Sequence, residues 1–499
     1  MNYFSTRDLN KKSVSAGEAI CKGLAPDGGL YLPETCPTYT MEELSAWQNL
    51  SYVELAAKVL EPFLTDYTKE QVFSCVQDAY HYPKFDDRRI APTRLCKDYA
   101  LLELWHGPTS AFKDLALQLL PRLMVTARKN LGISETSLIL VATSGDTGKA
   151  ALEGFRDVDG TKIAVFYPKY GVSALQQLQM QTQAGDNVAV FGIKGNFDDA
   201  QTGVKTLFTD REMEETLKES NMSFSSANSI NWGRLCPQIV YYFASYFDLV
   251  SAGKIQMGEK VNFCVPTGNF GDILAGYYAK MMGLPVHKLI CASNANRVLT
   301  DFFATGSYDR NREFHQTATP SMDILISSNL ERLLFLASEK DPSLISNLFT
   351  ALKEEGSYTV SKEILCRLQA DFAADCCSDE AAFEVIARLF EAQGVLIDPH
   401  TAVGVCVLEK YRKSSGDMTE CVVLSTASPY KFCKDVLFAL EKAPASQEDP
   451  FFLLEELEKK SGVAAPFTLK NLKNAAIRFE QVLEKEAQKD AVLHFVSEL

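Results

Sequence analysis

Short apolar segments alternate with helical patterns along the middle of the chain. Between about residues 95 and 300, each apolar segment is bounded by Gly, Pro, Asn or Asp, and most are separated by stretches with helical periodicity. Segments that are apolar on both faces are typical of parallel strands covered by helices. The predicted strands span residues 137–142, 162–167, 188–193, 261–265 and 288–292. This alternation predicts an α/β fold.

The flanking regions have a different pattern. Residues 41–82 and 330–395 carry helical periodicity, and a last buried strand is predicted at 422–424. A chain of 499 residues is expected to form two or three domains. We predict a mostly helical N-terminal region over 1–93, a smaller α/β domain over about 94–240, a larger α/β domain over 241–440, and a C-terminal helical appendage over 441–499. No long flexible linker separates them, so these bounds are soft.

Composition narrows the class of protein. Hydrophobic residues make up 46% and charged residues 23% of the chain, which is typical of a soluble globular protein. The net charge of -14 argues against nucleic acid and anionic membranes as general partners. No apolar segment is long enough to span a membrane, and the first residues lack the apolar stretch of a secretory signal.

Cysteine and histidine usage indicates no metal site. The thirteen cysteines are scattered and the six histidines lack the spacing of zinc ligands. We therefore expect reduced thiols, a cytoplasmic location and no bound metal.

A single lysine is the first candidate for chemistry. Lys113 follows a Gly-Pro turn and opens a helical pattern over residues 115–131. The pattern places its side chain among apolar neighbours, where an ammonium group is costly to bury. A neutral lysine amine attacks an aldehyde to form a Schiff base. An ordinary surface lysine in a first helical turn is the alternative, and spacing alone favours it.

Two predicted strands end in glycine-rich turns that lead into helices, at residues 143–148 and 266–271. A turn of this kind presents free backbone N–H groups to an anion. Gly268 and Gly271 have no side chain, so the main chain there can approach a phosphate closely. Neither turn has the spacing of a dinucleotide or nucleoside-triphosphate loop. The pair suggests two separate anions, although each turn alone is also typical of an ordinary strand-to-helix connection.

Two polar clusters complete the set of candidates. Residues 226–234 combine Asn and Ser side chains with Arg234, and Arg is suited to bidentate phosphate binding. Helix capping is the ordinary alternative for this cluster. Residues 424–432 follow the last predicted strand, where ligands of open α/β sheets gather. A polar loop is about as good an interpretation of that segment by itself.

Together these segments resemble the threonine synthase family, pyridoxal-phosphate enzymes of the tryptophan-synthase-β fold type. The resemblance covers most of the chain and is closest to the longer form with an added N-terminal region. It departs from the family at Ser428, where His is common, and at Ser110, where another small residue is frequent. It implies fold type II, with two open, mostly parallel sheets covered by helices, the cofactor between them, and an N-terminal helical region. The segments that carry it are 23–34, 106–114, 142–148, 228–231, 266–271 and 425–429.

The resemblance implies a lyase of threonine biosynthesis that acts on a carbon–oxygen bond to phosphate. Its cofactor would be pyridoxal 5'-phosphate, and it would convert O-phospho-L-homoserine and water into L-threonine and phosphate by γ-elimination and β-addition of water. The expected partner is this small molecule, with the chain a monomer or a homodimer. Two alternatives stay open: a phospho-lyase that yields 2-ketobutyrate, and a catalytically dead binding scaffold.

The resemblance also implies roles for individual residues. Lys113 would form the Schiff base and act as the acid–base group. Thr426 would face the pyridine nitrogen. The implied ligands of the cofactor phosphate are Gly268, Asn269, Phe270 and Gly271. Residues 144–147 would bind the substrate carboxylate, and Asn228, Asn231 and Arg234 the substrate phosphate. The full implied substrate-binding set is Thr143, Ser144, Gly145, Asp146, Thr147, Asn228, Ser229, Asn231 and Arg234.

Overall fold

A computed structural model of the chain describes residues 1–208 and 210–497. Its strands, in chain order, are β1 Tyr3–Ser5, β2 Tyr31–Pro33, β3 Thr93–Leu95, β4 Ala100–Glu103, β5 Thr136–Ala142, β6 Thr161–Pro168, β7 Val188–Lys194, β8 Met222–Ser225, β9 Val261–Pro266, β10 Val286–Ser293, β11 Ser307–Asp309, β12 Ser357–Thr359, β13 Phe372–Cys376, β14 Cys421–Ser425 and β15 Val482–Glu484.

Helices connect and cover these strands. In the first half they are α1 Ala16–Lys22, α2 Met41–Ser45, α3 Tyr52–Leu60, α4 Lys69–Ala79, α5 Lys113–Leu117, α6 Leu120–Leu131, α7 Asp146–Phe155, α8 Ala174–Gln181, α9 Phe197–Phe208, α10 Arg211–Glu219, α11 Trp232–Leu235 and α12 Ile239–Ser251. In the second half they are α13 Gly271–Met281, α14 Val298–Thr305, α15 Leu330–Ala337, α16 Pro342–Glu354, α17 Lys362–Asp371, α18 Asp379–Gln393, α19 Pro399–Ser415, α20 Cys433–Glu441, α21 Pro450–Ser461, α22 Phe467–Lys470 and α23 Gln488–Ser497.

Two larger sheets form the framework of the described chain. One has the strand order β13-β10-β9-β14-β4-β3 and is parallel except for the antiparallel pair β3–β4. The other has the order β15-β7-β6-β5-β8 and is parallel throughout. Two antiparallel pairs, β1–β2 and β11–β12, lie outside them. The predicted α/β fold with mostly parallel sheets is confirmed.

The central strands are apolar on both faces because helices cover both faces. Every residue of β6 and β9 is buried, and α19 packs against β9, β10 and β14. This is the burial that a parallel sheet imposes on its strands. All six predicted buried strands coincide with observed ones, with ends that differ by two residues at most.

The N-terminal region has the predicted helices α2, α3 and α4. Each begins with a capping box, which satisfies two otherwise unpaired N–H groups and sets the helix start. The pair β1–β2 was not predicted. This region is tied to α15, since Arg7 Nη2 lies 2.7 Å from Glu331 Oε2 and Thr6 Oγ1 donates to Glu331 Oε1 at 2.5 Å.

The C-terminal region is mostly helical, but it also contributes a strand. β15 pairs in parallel with β7 and extends the smaller sheet by one edge strand. The sequence pattern did not predict it, because an exposed three-residue edge strand has too few apolar positions to show a period. The predicted domain bounds stay predictions, and we note that β3 and β4, which precede Lys113, belong to the larger sheet.

Three further observations concern residues 1–208 and 210–497. No helix there has both the length and the apolar character needed to cross a bilayer. No group of three or more His, Cys, Asp or Glu side chains is arranged to hold a metal ion. All thirteen cysteines are present as free thiols.

Candidate active site

Lys113 is the first residue of α5, and its side chain is buried. The helical pattern predicted over 115–131 forms two helices, because the chain turns at residues 118–119 and Pro121 is the second residue of α6. This break sets Lys113 at the start of a separate short helix. Its Nζ lies 3.5 Å from Ser321 Oγ and 3.8 Å from Asp146 Oδ2, with only 8% of the residue exposed. The prediction of a buried lysine is confirmed, and the surface alternative is wrong.

The surroundings of Lys113 make its amine less basic. Burial lowers the pKa of Lys113 to about 8, although the Asp146 carboxylate opposes that shift. The cations Arg234 and Lys431 lower the pKa further. A lysine with such a pKa is partly neutral at a mildly alkaline pH, and the neutral amine is the nucleophilic form.

Asp146, the first residue of α7, follows β5 of the smaller sheet and pairs with Lys431, which follows β14 of the larger sheet. Its Oδ1 lies 2.8 Å from Lys431 Nζ and accepts a hydrogen bond of 2.9 Å from Gln176 Nε2. Burial disfavours the carboxylate, but Lys431 and Lys113 outweigh burial and hold the pKa of Asp146 well below its usual range. Asp146 is therefore ionised. Lys431, which also donates to Thr109 O at 2.9 Å, was not assigned a role from the sequence. Its place inside the polar cluster 424–432 was the available signal.

The turn at 143–148 has its own internal support. Thr143 Oγ1 accepts hydrogen bonds from the N–H groups of Gly145 and Gly148, at 3.0 and 2.8 Å. The N–H groups of Ser144, Asp146 and Thr147 donate to no residue of the described chain. Ser144 is exposed and Thr147 half-buried, so these donors lie at an accessible helix start. Such donors suit an anion.

The turn at 266–271 offers a second group of donors. The four consecutive N–H groups of residues 268–271 donate to no described residue, although Gly268, Phe270 and Gly271 are buried. Phe270 has a φ of 65°, a left-handed conformation that turns the chain into α13. A Cβ on Gly268 would lie 2.7 Å from Ser321 O, so only glycine fits there. Unpaired backbone N–H groups at the start of a helix suit an anion.

Thr426 lies directly beside the lysine segment. Its carbonyl accepts a hydrogen bond of 2.8 Å from Phe112 N–H, and Ala111 and Ala427 form an isolated antiparallel bridge. Thr426 is buried, and its hydroxyl bonds to no other residue in the described part of the chain. Ser110, next to this bridge, has a φ of 59° and a buried hydroxyl without a described partner.

Some polar side chains of residues 226–234 bond to the rest of the protein, and others remain able to bind a ligand. Asn231 Nδ2 donates to Ile20 O and Ser226 O, each at 2.9 Å, and Asn231 Oδ1 caps α11 by accepting from Gly233 N–H. Its predicted role as a phosphate ligand stays a prediction. Arg234 is buried, with 6% exposed, and donates to Ala227 O at 3.0 Å. No carboxylate of the described chain pairs with its guanidinium, and burial lowers the pKa of Arg234 to about 10.

Residues 327–329 connect two of these loops and were missed from the sequence. Asn329 Nδ2 donates to Ser229 O and Asn269 O, at 3.1 Å each, and Ser327 Oγ donates to Gly268 O at 2.8 Å. Ser321, in a short 3-10 helix spanning Pro320–Met322, was missed as well. Both segments read as ordinary polar turns, and only their tertiary contacts bring them to the site.

Two carboxylates, one of them at the end of β4, hold the ring of His106. His106 Nδ1 lies 2.5 Å from Asp86 Oδ1 and Nε2 lies 2.9 Å from Glu103 Oε2, and the ring stacks on Trp105. Burial alone would lower the pKa of His106, but the two carboxylates outweigh it and raise the pKa to about 9. Trp105 Nε1 in turn donates to Ser425 Oγ at 3.1 Å, just before Thr426.

We predict a stability change at alkaline pH from His106. Its pKa is raised above the ordinary value of 6.5, so the stabilisation is complete below pH 6.5 and is lost as the pH rises through about 9. His106→Gln should lower the free energy of unfolding by about 1–2 kcal/mol at pH 6 and much less at pH 10. Denaturant unfolding of both proteins across this range measures it. An equal difference at both pH values would contradict the assignment.

Comparisons with known proteins identify the family of the chain. Residues 2–80 match the family described as Threonine synthase N terminus, and residues 401–490 match the one described as Threonine synthase, C-terminal. The chain is 41% identical over 448 residues to the threonine synthase of Pseudomonas aeruginosa, covering 90% of this chain and 91% of that protein. It is 43% identical over 458 residues to threonine synthase-like 1 of Macaca fascicularis, covering 88% of this chain and 61% of that protein.

A solved structure extends the comparison to the whole fold. The PLP-bound threonine synthase from Brucella melitensis matches with a TM-score of 0.87 and 38% identity, covering 100% of both chains. The fold is therefore that of the type II pyridoxal-phosphate enzymes. The chain belongs to the threonine synthase family. It spans about three-fifths of the length of the threonine synthase-like 1 proteins that it matches.

Proposed function

We propose that this protein is a threonine synthase that uses pyridoxal 5'-phosphate to convert O-phospho-L-homoserine and water into L-threonine and phosphate. The observation that carries the proposal is the buried amine of Lys113, whose contacts lead to two groups of unpaired N–H donors. Ser321 connects it to the turn at 266–271, and Asp146 connects it to the turn at 143–148. A reactive amine with two anion sites suits a phosphorylated aldehyde cofactor and an anionic substrate.

The residues present fit the cofactor. The N–H groups of residues 268–271 and the glycine at 268 would hold its phosphate, as an anion held by backbone donors at a helix start. Lys113 would hold its aldehyde as a Schiff base. Thr426, whose hydroxyl has no described partner, would face its ring nitrogen as a neutral hydrogen-bond donor. When bound, pyridoxal phosphate supplies an electron sink that stabilises negative charge on the substrate carbons.

The substrate's two anionic ends have separate candidate sites. The N–H groups of Ser144, Asp146 and Thr147 would bind the carboxylate at the start of α7. Arg234 would bind the phosphate, because a buried guanidinium without a carboxylate partner is costly unless an anion reaches it. Asn228, whose side chain has no described hydrogen bond, and Ser229 would add polar contacts on the same loop.

Lys113 would move the protons of the reaction. As a free amine, its Nζ would take the α-proton of the substrate and later return it, as a general base and then a general acid. Its pKa of about 8 suits both roles near neutral pH. Thirteen free thiols favour a reducing compartment, and a cytoplasmic location is part of this proposal.

Product analysis tests this function directly. The holoenzyme is incubated with O-phospho-L-homoserine, and L-threonine, 2-ketobutyrate and phosphate are quantified together. We expect one L-threonine for each phosphate released. Phosphate released with 2-ketobutyrate in place of threonine would indicate a phospho-lyase. No product at all, with pyridoxal phosphate bound, would indicate a binding scaffold.

We predict that Gly268→Ala weakens cofactor binding. The added Cβ would lie 2.7 Å from Ser321 O, and backbone cannot yield as a flexible side chain can. Relief of this overlap should move the N–H groups of residues 268–271 away from the cofactor phosphate. The dissociation constant of pyridoxal phosphate should therefore rise by about tenfold or more, which corresponds to about 1.4 kcal/mol. A titration followed by visible absorbance measures it.

Gly192→Ala is the matched control for that variant. Gly192 is also buried but lies in β7, outside the candidate site, and a Cβ there would lie 3.4 Å from Tyr167 Oη and from Val482 Cγ2, which are ordinary contacts. This variant should fold and bind the cofactor much as the parent does. Parent-like affinity in Gly268→Ala would refute the close approach at position 268.

A further inference from the structure

Ser321 links the reactive lysine to its carboxylate. Its Oγ lies 3.5 Å from Lys113 Nζ, from which it accepts, and 3.5 Å from Asp146 Oδ2, to which it donates. The direct distance between Lys113 Nζ and Asp146 Oδ2 is longer, at 3.8 Å. The hydroxyl therefore bridges an amine and a carboxylate that do not form a close hydrogen bond themselves.

The backbone of Ser321 is held by the buried pair of His400 and Asp398. Its backbone N–H donates to His400 Nε2 at 3.3 Å, and His400 Nδ1 lies 2.7 Å from Asp398 Oδ2. Because Nε2 accepts, the ring carries its proton on Nδ1 and donates it to Asp398. Asp398 is completely buried and also caps α19 through the N–H groups of His400 and Thr401. The position of Ser321 is thus fixed by the start of a long helix.

We propose that Ser321 is a further catalytic residue that holds the free amine of Lys113 toward Asp146, and that His400 and Asp398 are positioning residues for Ser321. The inference rests on the proposed function, in which Lys113 is released as a free amine during each turnover. A released lysine has several rotatable bonds, and a hydroxyl at its end restricts where the amine lies. That restriction is useful where one amine must reach the same carbon twice, to remove a proton and to return it.

The charged groups around Lys113 determine whether its amine is protonated. They are the carboxylates of Asp146 and Asp272 and the cations Arg234 and Lys431. The Ser321 hydroxyl stabilises the ammonium form of Lys113, because it accepts a hydrogen bond from Nζ and donates one to Asp146. Its removal should therefore favour the neutral amine.

Two readouts of the full-length protein test Ser321. The cofactor-free chain is mixed with pyridoxal phosphate across a pH series, and formation of a borohydride-reducible bond to Lys113 is followed by absorbance. In Ser321→Ala the half-maximal pH of this reaction should fall by about half a unit to one unit. In the holoenzyme, kcat should fall by about tenfold with KM changed less than about twofold. Ser321→Thr, which keeps the hydroxyl, should restore most of both.

His400→Leu tests the positioning role. It removes the contact to Ser321 N–H, while Asp398 keeps its backbone donors at the start of α19. Alone it should lower kcat by about threefold to tenfold, but in the Ser321→Ala background it should lower kcat by less than about twofold. Ser338→Ala, which removes a remote hydroxyl that donates to Phe335 O, is the control and should match the parent.

The outcomes separate the inference from the proposed function. A parent-like kcat and pH curve for Ser321→Ala would overturn the role of Ser321. A full additional loss from His400→Leu in the alanine background would overturn the positioning role. If the parent makes no threonine, the proposed function fails, and the pH curve of Schiff-base formation still decides whether Ser321 acts on Lys113.

Discussion

Lys113→Ala is expected to abolish threonine formation, with kcat lowered by about 10³-fold or more, because in the proposed function this one residue supplies both the covalent link and the general acid–base group. Since its buried amine is also the group that we propose to react with the cofactor aldehyde, the variant should lose the borohydride-reducible bond and its absorbance. Kinetics, absorbance after dialysis and peptide mapping after reduction measure the three effects. The fold should be retained, because the carboxylate of Asp146 still pairs with Lys431 after the Lys113 amine is removed.

Lys22→Ala is the control for that experiment. Lys22 is partly exposed and pairs with Glu18 one helical turn away, so its loss should change neither turnover nor absorbance. A reducible cofactor bond that persists in Lys113→Ala would show that another lysine carries the cofactor. Lys431 and Lys149, which are also buried, would then be the residues to map.

Arg234→Met is expected to have opposite effects on substrate binding and on stability. Loss of the guanidinium should raise the KM for O-phospho-L-homoserine by about 10²-fold or more, because two charge-assisted hydrogen bonds to phosphate are lost. The same change removes a buried charge that has no carboxylate partner in the described chain. In the absence of substrate and inorganic phosphate, the thermal midpoint of the holoenzyme should therefore rise. Added inorganic phosphate should stabilise the parent but not the variant.

Arg332→Met is the matched control, since Arg332 is also a fully buried arginine. Its guanidinium donates to Tyr31 O at 2.8 Å, Asn329 Oδ1 at 2.5 Å and Ile230 O at 2.6 Å. Loss of three satisfied hydrogen bonds should lower the thermal midpoint. If Arg234→Met also lowered the midpoint and left KM unchanged, Arg234 would be a structural residue and not the phosphate ligand.

The fold was largely predictable because the buried parallel strands are apolar at consecutive positions. The strands β5, β6, β7, β9 and β14 show this pattern, and each was found within two residues of its place. Short edge strands such as β15 carry no such pattern, since only one of its three residues is buried. The order of strands in a sheet depends on contacts between distant segments, which no local period records.

The candidate site was predictable only where a residue type is unusual in its local setting. Lys113 stood out as a charge among apolar positions, and glycine at 268 marked a close approach of the backbone. Ser321 and His400 did not stand out, because a serine in a turn and a histidine after a helix cap are ordinary. Their importance comes from contacts across more than 70 residues of sequence, such as the bond from Ser321 N–H to His400. Asn231, conversely, was conspicuous in sequence and is used by the scaffold.

In the proposed function, the enzyme breaks the carbon–oxygen bond of its substrate and then adds water to the neighbouring carbon. Turnover of O-phospho-L-homoserine in ¹⁸O-water, followed by mass spectrometry of both products, tests this most directly. We expect L-threonine with ¹⁸O in its hydroxyl group, and phosphate that carries no ¹⁸O when it is released. Homoserine together with ¹⁸O-labelled phosphate would contradict this function, because water would then have attacked phosphorus and not carbon.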